Sequence, residues 1–117
     1  MTGVQTCALP ICALTDDPNI VMNECAGVLQ YAQTCFEGLK AYTTEDGHIV
    51  TFRPDLNAER LMDSAARLEM PQLPKEQFID AVDQVVKANA GYVPPYGSGA
   101  TLYIRPDRKS VGRERVF

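Results

Sequence analysis

Residues 39–54 read LKAYTTEDGHIVTFRP. β-Branched and aromatic residues flank Glu45-Asp46-Gly47, and Asp-Gly is a strong hairpin signal because both residues tolerate positive φ. The stretch therefore predicts a β-hairpin. His48, beside the turn, is expected to be a solvated turn residue rather than a catalytic base, since no partner of known spacing accompanies it. Pro54 and Asp55 then punctuate the chain, and Asp55 is expected to accept hydrogen bonds from free helix amides as an N-cap.

Downstream of the hairpin, Leu61, Met62, Ala65 and Leu68 recur at i, i+1, i+4 and i+7, one face of an amphipathic helix. The prolines of MPQLP (70–74) are expected to end it. A second helix is expected from Lys75 to about Asn89, with Phe78, Val82, Val85 and Val86 on one stripe and Asn89, Gly91 and Pro94 closing it. PPYGSG (94–99) reads as a loop and ATLYIRP (100–106) as a strand. Upstream, Asn19 to Met22 reads as a short strand edge, while LQYAQTCFEG (29–38) is too mixed to assign by pattern. The order hairpin, helix, helix, strand implies an α+β fold: an antiparallel sheet with helices packed on one face.

Composition excludes several classes of function. A chain of 117 residues fits one domain, and 45 % hydrophobic with 22 % charged residues is ordinary globular composition. No apolar run reaches the length of a membrane span. The start has no basic n-region, and CALPICAL is broken by Pro10, so a secretory signal is not expected. A net charge of −4 gives no reason to expect nucleic-acid binding. Cys7, Cys12, Cys25 and Cys35 form no C-x-x-C pair, and His48 is the single histidine. No zinc site is expected, and the cysteines read as free thiols of a reducing cytosol.

The two ends read differently from the interior. The string GCT-CTT-CCG-ATC translates as Ala-Leu-Pro-Ile, the residues 8–11, and its reverse complement, GAT-CGG-AAG-AGC, translates as Asp-Arg-Lys-Ser, the residues 107–110. That string resembles a sequencing-library adapter. Residues 1–12 and 107–117 are therefore expected to be adapter-derived, with 13–106 the interpretable domain. The basic tail is accordingly not taken as a nucleic-acid or membrane patch.

Three clusters have residue types suited to binding chemistry. Tyr31 and Phe36 precede Glu37-Gly38 at the start of the hairpin. Phe52-Arg53-Pro54 places an arginine where a strand hands over to a helix. In Tyr103-Ile104-Arg105 the outer two residues share one face of a strand. An arginine fixed at a strand end can grip a carboxylate or phosphate bidentately. The bland alternative for each arginine is a surface salt bridge.

Together, LQYAQTCFEGLKAY (29–42), TFRPDLNAERLMDSAARLEMP (51–71) and VPPYGSGATLYIRP (93–106) resemble the N-terminal small domain of branched-chain amino acid aminotransferases, pyridoxal 5'-phosphate enzymes of fold type IV. The resemblance runs from about Cys25 to Pro106. It implies that Arg53 holds the cofactor phosphate and that Tyr31 and Phe36 line an apolar pocket for Leu, Ile and Val side chains. It also implies that Tyr103 helps bind the substrate α-carboxylate and that Arg105 receives the distal carboxylate of glutamate. Cys35 is expected to pack rather than react. None of Lys40, Lys75, Lys87 and Lys109 matches the family's cofactor-linking lysine, which the resemblance places in a large domain outside this chain. The chain alone is therefore expected to contain no catalytic residue and to be inactive. The intact enzyme is expected to be a cytoplasmic homodimer acting on small amino and oxo acids. Alternatives are another fold type IV enzyme, such as a D-amino acid aminotransferase or aminodeoxychorismate lyase, or a non-catalytic binding domain.

Overall fold

The computed structural model describes residues 6–8 and 13–111. In chain order the elements are β1 (Thr6–Ala8), β2 (Ala13–Thr15), α1 (Gly27–Tyr31), β3 (Thr34–Phe36), β4 (Leu39–Thr43), β5 (Ile49–Thr51), α2 (Pro54–Arg67), α3 (Lys75–Ala88), β6 (Leu102–Ile104) and β7 (Asp107–Lys109). The main sheet has the order β5-β4-β6 and is antiparallel throughout, with Ala41 opposite Thr51 and Leu39 opposite Ile104. The expected α+β architecture is the one observed.

The hairpin joins β4 to β5. Its turn differs in detail from the sequence expectation. Gly47 donates to the Thr44 carbonyl at 3.0 Å, and in this turn only Gly47, at φ 87°, takes a positive φ. This is a longer turn than the two-residue form with both central residues left-handed. His48 is exposed and lies 2.9 Å from Asp46.

Strand alternation divides β4 between two environments. Leu39 and Ala41 are buried while Lys40 and Tyr42 are exposed. The buried face receives Ala58 and Leu61 from α2 and Phe78 and Val82 from α3, with Ile104 of β6 closing the cluster. Leu61 and Phe78 are each only 2 % exposed; full burial of such a side chain stabilises by roughly 1.5–3 kcal/mol. Both helices thus cover one face of the sheet, as their apolar stripes require.

Three local expectations are corrected. Asp55 is not the N-cap of α2: Pro54 takes the first helical position, which places the cap on Arg53 at φ 47°, ψ 56°. The prolines of 70–74 do not end α2. The helix closes earlier, when Glu69 turns left-handed at φ 56° and the Met70 amide donates back to the Ala65 carbonyl at 2.8 Å. Residues 19–22 form no strand: Ile20 and Val21 are exposed, and among the described residues no strand pairs with them.

The unassigned segment 29–38 becomes α1 and β3, separated by Ala32 in the left-handed region at φ 52°. Asp107–Lys109, expected to be adapter-derived, pairs with β3 as β7, with Phe36 opposite Asp107. The ladder itself is made by backbone groups, and Arg108 Nη2 also donates to the Pro71 carbonyl at 2.7 Å. Residues 1–5, 9–12 and 112–117 of the two expected adapter-derived ends lie outside the described residues. Among the described residues, no helix is long and apolar enough to cross a membrane.

Candidate functional site

β4 lies between β5 and β6, and the ladders end at Ala41↔Thr51 on one side and Leu39↔Ile104 on the other. Arg53 lies two residues beyond Thr51, and Arg105 one residue beyond Ile104. Both arginines therefore leave the sheet at the same end, where β4 begins. Antiparallel pairing alone produces this juxtaposition from positions far apart in sequence.

On the face away from the helices, three of the expected residues form one patch. The guanidinium carbon of Arg105 lies 4.1 Å from the Phe36 ring centroid, a cation–π contact. Tyr103 crosses Gly38: a β-carbon built there would stand 2.7 Å from the phenolic oxygen and 3.1 Å from the ring. Only glycine permits that approach. Phe36 and Tyr103 are each about half exposed, at 55 % and 54 %. Lys40 is the direct cross-strand neighbour of Tyr103 and shares this face.

Arg53 sits at the start of α2. Its Nε donates to Asp55 Oδ1 at 3.0 Å and its Nη2 to Asp55 Oδ2 at 2.8 Å. This fork holds the Asp55 carboxyl down at about 2. It occupies one edge of the guanidinium, so the Nη1/Nη2 end is left for an external anion. A left-handed non-glycine residue is strained, and at position 53 the strained backbone carries the side chain that forks Asp55.

Tyr31 stands apart from the patch. It ends α1 with 68 % exposure, and among the described residues it has no hydrogen bond or ring contact with Phe36, Tyr103 or Arg105. Cys35 is half-buried against the core, and burial pushes its thiol pKa up. That matches a packing role.

Glu37 has partners that the sequence does not reveal. It is 5 % exposed. Its carboxylate accepts from Arg60 Nε at 2.6 Å, Arg60 Nη2 at 2.7 Å and Asn57 Nδ2 at 3.0 Å. The Arg60 hydrogen bonds hold its pKa below the usual carboxylate range against the opposing effect of burial. Asn57 and Arg60 lie three apart on α2 and so share a face. That spacing is the one available local signal, and it does not name a partner twenty residues away.

No family model matches the chain. Among curated relatives, it is 52 % identical over 99 residues to a branched-chain-amino-acid aminotransferase of Haemophilus influenzae, covering 85 % of this chain and 29 % of the relative. It is 54 % identical over 88 residues to a methionine aminotransferase of Arabidopsis thaliana, covering 75 % and 25 %. The chain thus spans between a quarter and three tenths of the length of these relatives.

Among solved structures, the branched-chain aminotransferase of Thermoproteus uzoniensis with norvaline superposes with a TM-score of 0.68 at 27 % identity, over 87 % of this chain and 32 % of that one. The branched-chain aminotransferase of Thermobaculum terrenum in its pyridoxal-phosphate form gives a TM-score of 0.65 at 21 % identity, over 89 % and 32 %, a likeness of fold. In sequence over most of its length, and in fold, the chain is a relative of the branched-chain aminotransferases that corresponds to part of such an enzyme.

Proposed function

We propose that this chain is the small-domain part of a pyridoxal 5'-phosphate-dependent branched-chain aminotransferase, supplying a phosphate anchor and one wall of the substrate pocket. The observation that carries this reading is the 52 % identity over 85 % of the chain to the Haemophilus influenzae aminotransferase. In this reading the free end of the Arg53 guanidinium holds the cofactor phosphate, a dianion that needs charge-assisted hydrogen bonds once desolvated. When bound, the cofactor supplies an electron sink for chemistry at the amino acid α-carbon.

The chain's own residues bind and orient the substrate. Tyr31 and Phe36 offer apolar surface to Leu, Ile or Val side chains, and the Tyr103 hydroxyl holds the α-carboxylate. Arg105 receives the distal carboxylate of glutamate, the other amino-group carrier. Its contact with Phe36 supports this double duty. A cation resting on an exposed ring is stabilised by roughly 0.5–1 kcal/mol, less than the roughly 1.5–3 kcal/mol of a hydrogen bond to a charged group. Arg105 can therefore rest on Phe36 beside an apolar substrate and leave it for a carboxylate.

The lysine that links the cofactor belongs, in this reading, to a domain outside the chain, and the intact enzyme is a homodimer of the cytoplasm serving amino-acid biosynthesis. Residues 13–106 are assigned to the enzyme, and 1–12 and 107–117 to adapter-derived codons, which resequencing the coding DNA checks. The relationship to a methionine aminotransferase supports a second substrate reading, an unbranched sulfur-containing side chain.

A chimaera tests the function. Residues 13–106 replace the matching segment of the Haemophilus influenzae enzyme, and glutamate formation from 2-oxoglutarate is followed with leucine and with methionine as donors. Activity with leucine is expected. A folded chimaera inactive with both donors would overturn the proposal.

A further inference from the structure

Glu37 takes no part in the substrate contacts above, yet it is the buried residue between Phe36 and Gly38. Phe36 carries the Arg105 guanidinium, and Gly38 accommodates the Tyr103 ring. Around Glu37 the backbone is fixed on two sides. Toward α2, its carboxylate takes the Arg60 fork and the Asn57 amide, and Asn57 Nδ2 also reaches the Gly38 carbonyl at 3.2 Å. Toward β6, the Glu37 amide donates to the carbonyl of Pro106, the residue after Arg105, at 2.8 Å.

A buried carboxylate loses hydration that a single partner rarely restores in full, and an apolar residue of similar volume is often at least as stable. Burial area alone therefore does not account for Glu37. What it adds is directional: three donors on α2 locate residues 36–38 along the helix, and the Pro106 bond locates them against the exit of β6.

We infer that Glu37, gripped by Arg60 and Asn57, is a positioning residue that sets the stagger between residues 36–38 and 103–105. That stagger keeps Arg105 over Phe36 and Tyr103 over Gly38. The consequence for acidic against apolar substrates rests on the function proposed above; the positioning itself does not.

The test uses the whole 117-residue chain, isotopically labelled, with two nuclear magnetic resonance readouts. One is the ring-current shift of the Arg105 side chain from Phe36. The other is the cross-relaxation between the Tyr103 ring and the Gly38 α-protons. Glu37→Gln keeps volume and removes charge, and Arg60→Lys keeps charge and removes the fork. Both variants are expected to keep dispersed amide signals in α2 and α3 while losing both signatures, and Glu37→Asp is expected to restore them in part. Should Glu37→Gln fail to fold, Arg60→Lys carries the decision alone. Both signatures unchanged in either folded variant would overturn the inference.

In the chimaera, Glu37→Gln is expected to raise the KM for glutamate about tenfold, against less than about twofold for leucine. An inactive parent chimaera would sink the functional reading and leave the spectroscopic test of positioning intact.

Discussion

Arg105 holds its guanidinium carbon 4.1 Å from the centre of the Phe36 ring, although the two residues are 69 positions apart in sequence. The contact exists because β6 pairs with β4 and delivers Arg105 to the point where β4 begins. Cation and ring are both largely exposed, so the contact contributes little to stability and is free to respond to a ligand.

Phe36→Leu removes the ring face and keeps an apolar side chain. Unfolding stability should fall by no more than about 1 kcal/mol, read from urea midpoints. Arg105 should react faster with phenylglyoxal, mapped by peptide mass. An unchanged rate would mean that the ring does not hold the guanidinium.

Gly38→Ala places a methyl group against Tyr103. The nearest atom is the far end of an exposed side chain, so the ring can swing aside, and the stability loss should stay below about 1 kcal/mol. Tyr103 should nevertheless leave its position, with loss of its cross-relaxation to residue 38. A loss of several kcal/mol would show that the ring is fixed from elsewhere.

Acid stability should depend on Glu37. Its pKa is lowered in the folded state, chiefly by the Arg60 hydrogen bonds. The stabilisation is therefore complete above the unfolded carboxylate value of roughly 4.3 and is lost as pH falls through the lower folded value. Asp55, at about 2, acts in the same direction and extends the loss to lower pH. Urea midpoints from pH 7 to pH 2 should fall less steeply below about pH 4.3 for Glu37→Gln, which starts from lower stability at pH 7. An acid limb identical to that of the parent would contradict the assignment.

Cys25 and Cys35 should separate in a native-state thiol-labelling course. Cys25 is exposed, whereas Cys35 is half-buried with its thiol pKa raised by burial. Peptide mapping should find Cys25 modified first and Cys35 only on the timescale of opening. Equal rates would mean that β3 opens freely.

The readable parts of the sequence were those governed by local periodicity. The 45–47 turn, the stripes Leu61–Ala65 and Phe78–Val82, and the β-branched and aromatic residues of 100–106 each carry their own local signal. At the entry to α2, Pro54 shifts the cap from the expected Asp55 to Arg53, a residue whose left-handed backbone has no sequence signal. α1 and β3 depend on Ala32 turning left-handed and on β7, whose Lys109 pairs with Thr34 from far along the chain. The same holds at the site. Phe36, Tyr103 and Arg105 were identifiable by type and meet in space, but the Glu37–Arg60–Asn57 grip depends on how α2 lies on the sheet.

The proposed function turns on the phosphate anchor, and Arg53 isolates it. Arg53→Gly relieves the strain of the left-handed backbone at φ 47° but also removes the fork to Asp55, so the two effects oppose and the fold should stay intact. The decisive measurement is the affinity of pyridoxal 5'-phosphate for the chimaera carrying this substitution, followed by cofactor absorbance. Binding should be weaker than in the parent by at least about tenfold, with the fold intact by circular dichroism. A folded Arg53→Gly chimaera that binds the cofactor as tightly as its parent would contradict the proposed function.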